Sequence, residues 1–245
     1  MRNILLTLEY DGTRYAGWQR QRRGIRTVQG ALEAALKRIL REKVTAVAAG
    51  RTDSGAHALA QAVSFRAGST LALVRIQRAL NVTLPRDIRV KKIRRVPEDF
   101  SARFNASSKT YYYYIYNGPF CPVFMREYCW YLSRPLDVGS MRSAARRLLG
   151  RHDFKPFQAR DKKERASVCR VKDIRVRKEG SIIRIEITAD FFLYKMVRNI
   201  AGFLADVGMG KITPGETTRT LRQGRRLSPW QTAPARGLFL KRVKY

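Results

Sequence analysis

Apolar residues in this 245-residue chain switch between a period of two and a period of three to four, in an order that partly recurs. That patterning constrains the fold more than any other feature. Ile4, Leu6, Leu8 and Tyr10 alternate as a half-buried strand that ends in the turn Asp11-Gly12-Thr13. From Val28, residues Leu32, Ala35, Leu36, Ile39 and Leu40 share a helical face, with Thr27 placed as N-cap. Strands are predicted over Val44–Ala49 and Ala60–Phe65, on either side of the loop Gly50-Arg51-Thr52-Asp53-Ser54-Gly55. A helix over Leu71–Leu80, stopped at Leu84-Pro85, and a strand over Ile88–Ile93 complete a β-α-β-β-α-β order.

The second half offers a strand over Tyr111–Tyr116 and an irregular stretch with Pro119, Pro122 and Pro135. A helix through Val138, Met141, Ala145 and Leu148 comes next, then strands over Val168–Val176 and Ile183–Ile187. Another helix runs through Met196, Ile200, Phe203 and Val207, and a strand over Leu238–Val243 closes the chain. Arg222–Arg226 reads as a basic, Gly-containing loop. The expected fold is α+β: two similar lobes with mixed, mainly antiparallel sheet and a cleft between them. Residues 1–105 form the lobe carrying the Asp53 loop and 106–245 the lobe that completes the cleft.

Fifty Lys and Arg stand against 19 Asp and Glu, a formal charge of +31, while the 44% hydrophobic content is that of an ordinary globular chain. Ion-pair networks of a heat-adapted surface need both signs in comparable number, so the imbalance points to a polyanion, nucleic acid before an acidic membrane surface. Arg20–Arg26 beside Trp18, Lys91–Arg95 and Arg222–Arg226 are candidate phosphate contacts. For any single segment a solvated surface is the plain alternative. No apolar run approaches the roughly 20 residues needed to cross a bilayer. The run Ile4–Leu8 is cut off by Glu9 and lacks a small-residue cleavage site, so a cytoplasmic protein is expected. Cys121, Cys129 and Cys169 are odd in number and show no Cys-x-x-Cys spacing, which argues against a disulfide framework and a zinc site. With His57 and His152 as the only histidines, a metal site would have to be built from carboxylates, and none is expected.

Gly50–Ala58 is the densest cluster of unusual residue choices. A carboxylate between two glycines can be presented at a tight turn where the backbone admits a ligand. Arg51, two residues before Asp53, points to the same side of an extended segment. A guanidinium within a few ångströms orients a carboxylate and favours its charged form. A hairpin turn with a surface ion pair accounts for these residues equally well.

Arg51-Thr52-Asp53-Ser54-Gly55-Ala56-His57-Ala58 also resembles the active-site motif of the tRNA pseudouridine synthase A family, whose Asp is the catalytic residue. The resemblance runs nearly end to end. Tyr10-Asp11-Gly12, Gly17-Trp18-Gln19 and Thr27-Val28-Gln29-Gly30 are similar to the family's N-terminal signature. Phe100-Ser101-Ala102-Arg103 with Lys109-Thr110-Tyr111 is similar to its middle. Phe192-Leu193, Met196-Val197-Arg198-Asn199-Ile200, Ala233-Pro234-Ala235 and Gly237-Leu238 are similar to its C-terminal half. The resemblance implies a pseudouridine synthase fold and an isomerase acting on uridines at tRNA positions 38 to 40, in the anticodon stem-loop. It further implies a homodimer that binds tRNA across both subunits, with no cofactor. Residue by residue it implies Asp53 as nucleophile, Tyr111 stacked on the target base, and Arg198 paired with Asp53. Arg51 is implied to fill the space left by the flipped nucleotide, and Leu238 to line the pocket. Two departures stand out: Ala56 where Val is more usual, and Asp190-Phe191 ahead of Phe192-Leu193, where the family tends to carry smaller or uncharged residues.

The chemistry fits these residues. Isomerising uridine breaks N1–C1′, turns the uracil and joins C5 to the sugar, with no net redox change. It needs a carboxylate, to attack C1′ or C6 or to act on the sugar, and a pocket that keeps water from the detached base. A stacked nucleotide must first leave the stack. Tyr111 could then offer a face for the base; for Tyr112 and Tyr114 the reading adopted is that of an amphipathic strand with alternate rings in the core. Arg198 begins an apolar helix, where pairing with Asp53 would remove the cost of burying its charge; an exposed Arg on the polar helix face is the alternative. His57 is a rival acid or base by its chemistry but is expected to hydrogen-bond within its loop, and His152 is likewise expected to be structural. An RNA-binding protein without catalysis is the rival class. A zinc deaminase acting on RNA is a weaker third reading, its His-x-Glu and Pro-Cys-x-x-Cys pattern being absent.

Overall fold

The computed structural model describes residues 1–22, 24–160 and 166–245; Arg23, in the basic segment 20–26, lies outside the described residues. Two compact units are present, Met1–Ser107 with Phe239–Tyr245, and Ser108–Leu238. The last strand therefore belongs with the first unit, although the sequence places 106–245 together. Its Phe239 and Leu240 pair in parallel with His57 and Ala58, a ladder that no local pattern announces.

The first unit contains β1 (Arg2–Tyr10), α1 (Val28–Leu40), β2 (Val47–Ala48), β3 (His57–Ala67), α2 (Leu73–Thr83), β4 (Ile88–Val96) and β10 (Leu238–Lys244). β1 runs antiparallel between β3 and β4. β2 and β10 both pair with β3. Ile4, Leu6, Leu8, Leu32, Leu36, Ile76 and Leu80 are fully buried and form the core. Thr27 caps α1 by accepting from Gly30 N at 3.2 Å, as the sequence predicts. The strand expected over 44–49 shrinks to two residues, for a specific reason. Glu33 Oε1 accepts from Ala46 N and Gln29 Nε2 donates to Ala46 O, so side chains of α1 take the backbone groups a ladder would use.

The second unit contains β5 (Ser108–Asn117), β6 (Trp130–Leu132), α3 (Val138–Arg146), β7 (Gly150–Asp153), β8 (Val168–Glu179), β9 (Ile182–Ala189), α4 (Met196–Gly208) and α5 (Glu216–Gln223). β5, β9, β8 and β7 form an antiparallel run, with β6 parallel to β5. Asp137 caps α3 by accepting from Gly139 N and Ser140 N. The segment 222–226 is not simply a loop: Arg222 and Gln223 are the last residues of α5, and Gly224 at φ +62 terminates it. On β5 the tyrosine phase is the reverse of the sequence expectation. Tyr111 and Tyr113 are the buried rings, opposite Ile187 and Ile185 of β9, and Tyr112 and Tyr114 lie on the other face. Tyr112 and Tyr114 are instead edge to face at 6.0 Å, with Arg184 over the Tyr112 ring. With a mixed, mostly antiparallel sheet the protein is α+β, as the periodicities predict.

Candidate active site

Asp53 sits in the connection between β2 and β3, half-buried, with Thr52 buried before it and Arg51 exposed. The backbone of this loop is held from several directions. Trp18 N donates to Thr52 O at 3.1 Å, Gly55 N to Tyr15 O at 3.2 Å, and Ala56 N to Asp53 O at 3.1 Å. Gln61 Nε2 donates to Gly50 O at 2.8 Å, and the Tyr10 and Thr52 hydroxyls share a hydrogen bond of 2.8 Å. Burial pushes the Tyr10 phenol up to about 12, against the opposing pull of its bonds to Thr52 and Gln61.

Two glycines explain how the β1–α1 connection comes so close. A Cβ on Gly12 would lie 1.9 Å from the Ala56 carbonyl oxygen, and one on Gly17, at φ +87, 2.7 Å from that of Thr52. No side chain fits in either gap. His57 is buried, and it has partners beyond its own loop. Gly12 N donates to its Nδ1 at 3.1 Å, an Asp11 carboxylate oxygen lies 3.1 Å from the same nitrogen, and its ring stacks on Phe239 at 4.5 Å. The other histidine contacts the Leu149 carbonyl through Nε2 at 2.7 Å, a structural place for His152.

Tyr111, Arg198 and Leu238 belong to the second unit. Arg198 is half-buried in the first turn of α4, and its Nε donates to Ala233 O at 2.7 Å while Ala233 N returns a bond to Arg198 O. Next to it, the fully buried Asn199 donates to Phe157 O and accepts from the Thr232 hydroxyl. A Cβ on Gly202 would lie 1.7 Å from Gln231 O, so the same strip of chain presses on the helix one turn further on. Tyr113 completes the lock by donating to Pro234 O at 2.8 Å. Its phenol is pushed well up by burial, with the Arg198 and Arg236 guanidinium groups pulling it down. Tyr111 is buried with Phe192 edge-on at 4.9 Å, and Leu238 is buried where β10 begins. Asp190 is engaged through its carboxylate by Arg170 N and Phe191 N.

Several residues of this scaffold escaped the sequence reading as functional: Tyr10, Gln61, Tyr113, Asn199, Gly12, Gly17 and Gly202. Their signal was the spacing Tyr10-x-Gly12 and Arg198-x-x-x-Gly202, legible only once the facing segments are known. The basic segments are partly committed to the fold. Arg20 pairs with Glu33 at 2.6 Å, Arg26 with Asp87 at 3.3 Å, and Arg226 donates to Pro156 O beneath the Trp230 ring. Among the described residues no three His, Cys, Asp or Glu side chains group as a metal site, and no helix is long and apolar enough to cross a membrane.

Comparison with known proteins covers both units. The family model described as tRNA pseudouridine synthase matches residues 7–105 and 144–245. A tRNA pseudouridine synthase A of Chlorobium luteolum is 45% identical over all of this chain and 96% of its own length. Proteins of the same name from Acetivibrio thermocellus and a Thermoanaerobacter species are 42% and 41% identical over the full length of both chains. The chain with the glycine-pinned Asp53 loop therefore belongs to the tRNA pseudouridine synthase family.

Proposed function

We propose that this isomerase converts uridine to pseudouridine at positions 38 to 40 of the tRNA anticodon stem-loop, as a cytoplasmic homodimer that needs no cofactor. The observation that carries the reading is the Asp53 loop, a carboxylate on a backbone fixed on both sides, inside a family-matched stretch. Preorganisation of that kind is costly for a surface turn and useful for a reacting group. A carboxylate also adds nothing to phosphate binding, so an RNA-binding module of charge +31 gains nothing from it.

In the proposed reaction the N1–C1′ bond breaks, the uracil turns, and C5 bonds to C1′. The C5 hydrogen leaves as a proton and N1 takes one up, so neither water nor an oxidant is consumed. Asp53 is the nucleophile and Arg198 its charge partner, held in orientation by the Nε bond to Ala233. Tyr111 stacks on the flipped base, Leu238 lines its pocket, and Arg51 occupies the space the nucleotide vacates. Residues 1–107 with 239–245, and residues 108–238, act as the two lobes that supply these groups. The excess of Lys and Arg attracts the phosphate backbone, and binding falls steeply with salt.

Unmodified tRNA tritiated at uridine C5 tests the reading. Release of tritium, with pseudouridine mapped to positions 38 to 40, is the expected result. Binding of the tRNA without any release would leave an RNA-binding protein in place of the enzyme.

A further inference from the structure

Two cysteines outside the scaffold just described face each other in the connection between β5 and β6. Cys121 Sγ lies 4.0 Å from Cys129 Sγ, and both are free thiols. Residues eight apart meet because Met125 N bonds to Pro122 O and Tyr128 N to Met125 O, which folds the segment back on itself. Solvent reaches the two sulfurs unequally: Cys121 is half-buried and Cys129 buried. The Cys129 S–H is also in reach of Met125 O, at 3.0 Å.

We propose that Cys121 and Cys129 form a site of oxidative modification, in which a peroxide oxidises Cys121 and Cys129 closes an intramolecular disulfide. In the first step the Cys121 sulfur attacks a peroxide oxygen. The O–O bond breaks, the thiol becomes a sulfenic acid, and hydrogen peroxide leaves its other oxygen as water. In the second, Cys129 sulfur attacks Cys121 sulfur, the S–O bond breaks, and the hydroxyl departs with the Cys129 proton as a second water. Two thiols lose two electrons and the peroxide gains them.

The order of events is set by the surroundings. Burial pushes the Cys129 thiol up to about 12, with Cys121 beside it adding to the rise and Arg236 opposing it. The buried Cys129 sulfur is shielded from an external oxidant that reaches the half-buried Cys121, whereas a partner sulfur 4.0 Å away needs no diffusional encounter. The closed bond would staple the 121–129 segment, which carries the exposed Phe124, beside the Trp130 ring that lies edge-on to Tyr113.

Treatment of the full chain with stoichiometric hydrogen peroxide, then alkylation and peptide mass mapping, reads the outcome. The expected product is a Cys121–Cys129 linked peptide pair lighter by two hydrogens, in the same yield in Cys169→Ser. In Cys129→Ser, dimedone should trap the sulfenic acid at Cys121. Wild-type protein that keeps both thiols, labels with dimedone at Cys129 first, or forms only intermolecular links overturns the proposal, whatever the folding of the variants.

Discussion

Beside each of the two central charged residues a glycine presses against a facing carbonyl: Gly12 against Ala56 near Asp53, and Gly202 against Gln231 near Arg198. The two close approaches are reinforced in different ways. Around Asp53 the neighbours do the fixing, through Gly50, Thr52, Gly55 and Ala56 and the buried Tyr10–Thr52 bond. At Arg198 the side chain itself is tied, by its Nε bond to Ala233, and the adjacent Asn199 is tied on both sides. Backbone bonds predominate around the Asp53 loop and side-chain bonds around Arg198, so the two regions should fail under different substitutions.

The largest effects should come from filling the glycine contacts. Gly12→Ala and Gly202→Ala each put a Cβ within 2 Å of a carbonyl oxygen, and each should cost about 3 kcal/mol of stability in urea unfolding. If either variant unfolds at the wild-type midpoint, close backbone approach is not what holds that region. Asn199→Ala comes next. It leaves Phe157 O and the Thr232 hydroxyl without this partner, at a cost of about 2 kcal/mol by the same measurement, and should lower turnover by loosening the strip that holds Arg198.

Tyr10→Phe probes the contrast from the other side. Losing one hydroxyl costs about 1 kcal/mol near neutral pH. The folded protein holds the Tyr10 proton up to about 12, whereas the unfolded chain releases it near 10. Between those values the native state therefore binds more protons, and stability falls as pH rises. Unfolding measured from pH 9 to 12 should show that fall become shallower in Tyr10→Phe; an unchanged slope would remove Tyr10 from the account. The smallest effect belongs to Lys91→Ala, which breaks an exposed pair with Glu9 at 2.7 Å and should shift stability by no more than about 0.5 kcal/mol.

Much of this was legible in the sequence, and the rest failed for identifiable reasons. Helix α1 and its Thr27 cap are local, and the Asp53 loop announced itself by residue type and spacing. The strand at 44–49 misled because Gln29 and Glu33, distant in sequence, took the backbone groups of Ala46. Alternation along β5 showed that every second tyrosine is buried but not which set, since the phase is decided by Ile185 and Ile187 across the ladder. Helix α5 went unseen because its buried positions are largely Glu216, Thr217 and Thr220 rather than an apolar stripe. The bond from Arg198 to Ala233 spans 35 positions and leaves no periodic trace.

In the proposed function Asp53 does the chemistry and its scaffold presents it. Tritium release from C5-labelled tRNA by wild type and Asp53→Ala, with tRNA binding measured on the same samples, tests it directly. The account predicts that Asp53→Ala binds tRNA as wild type does and loses release by at least about a thousandfold. Release at the wild-type rate from the Asp53→Ala protein would contradict it.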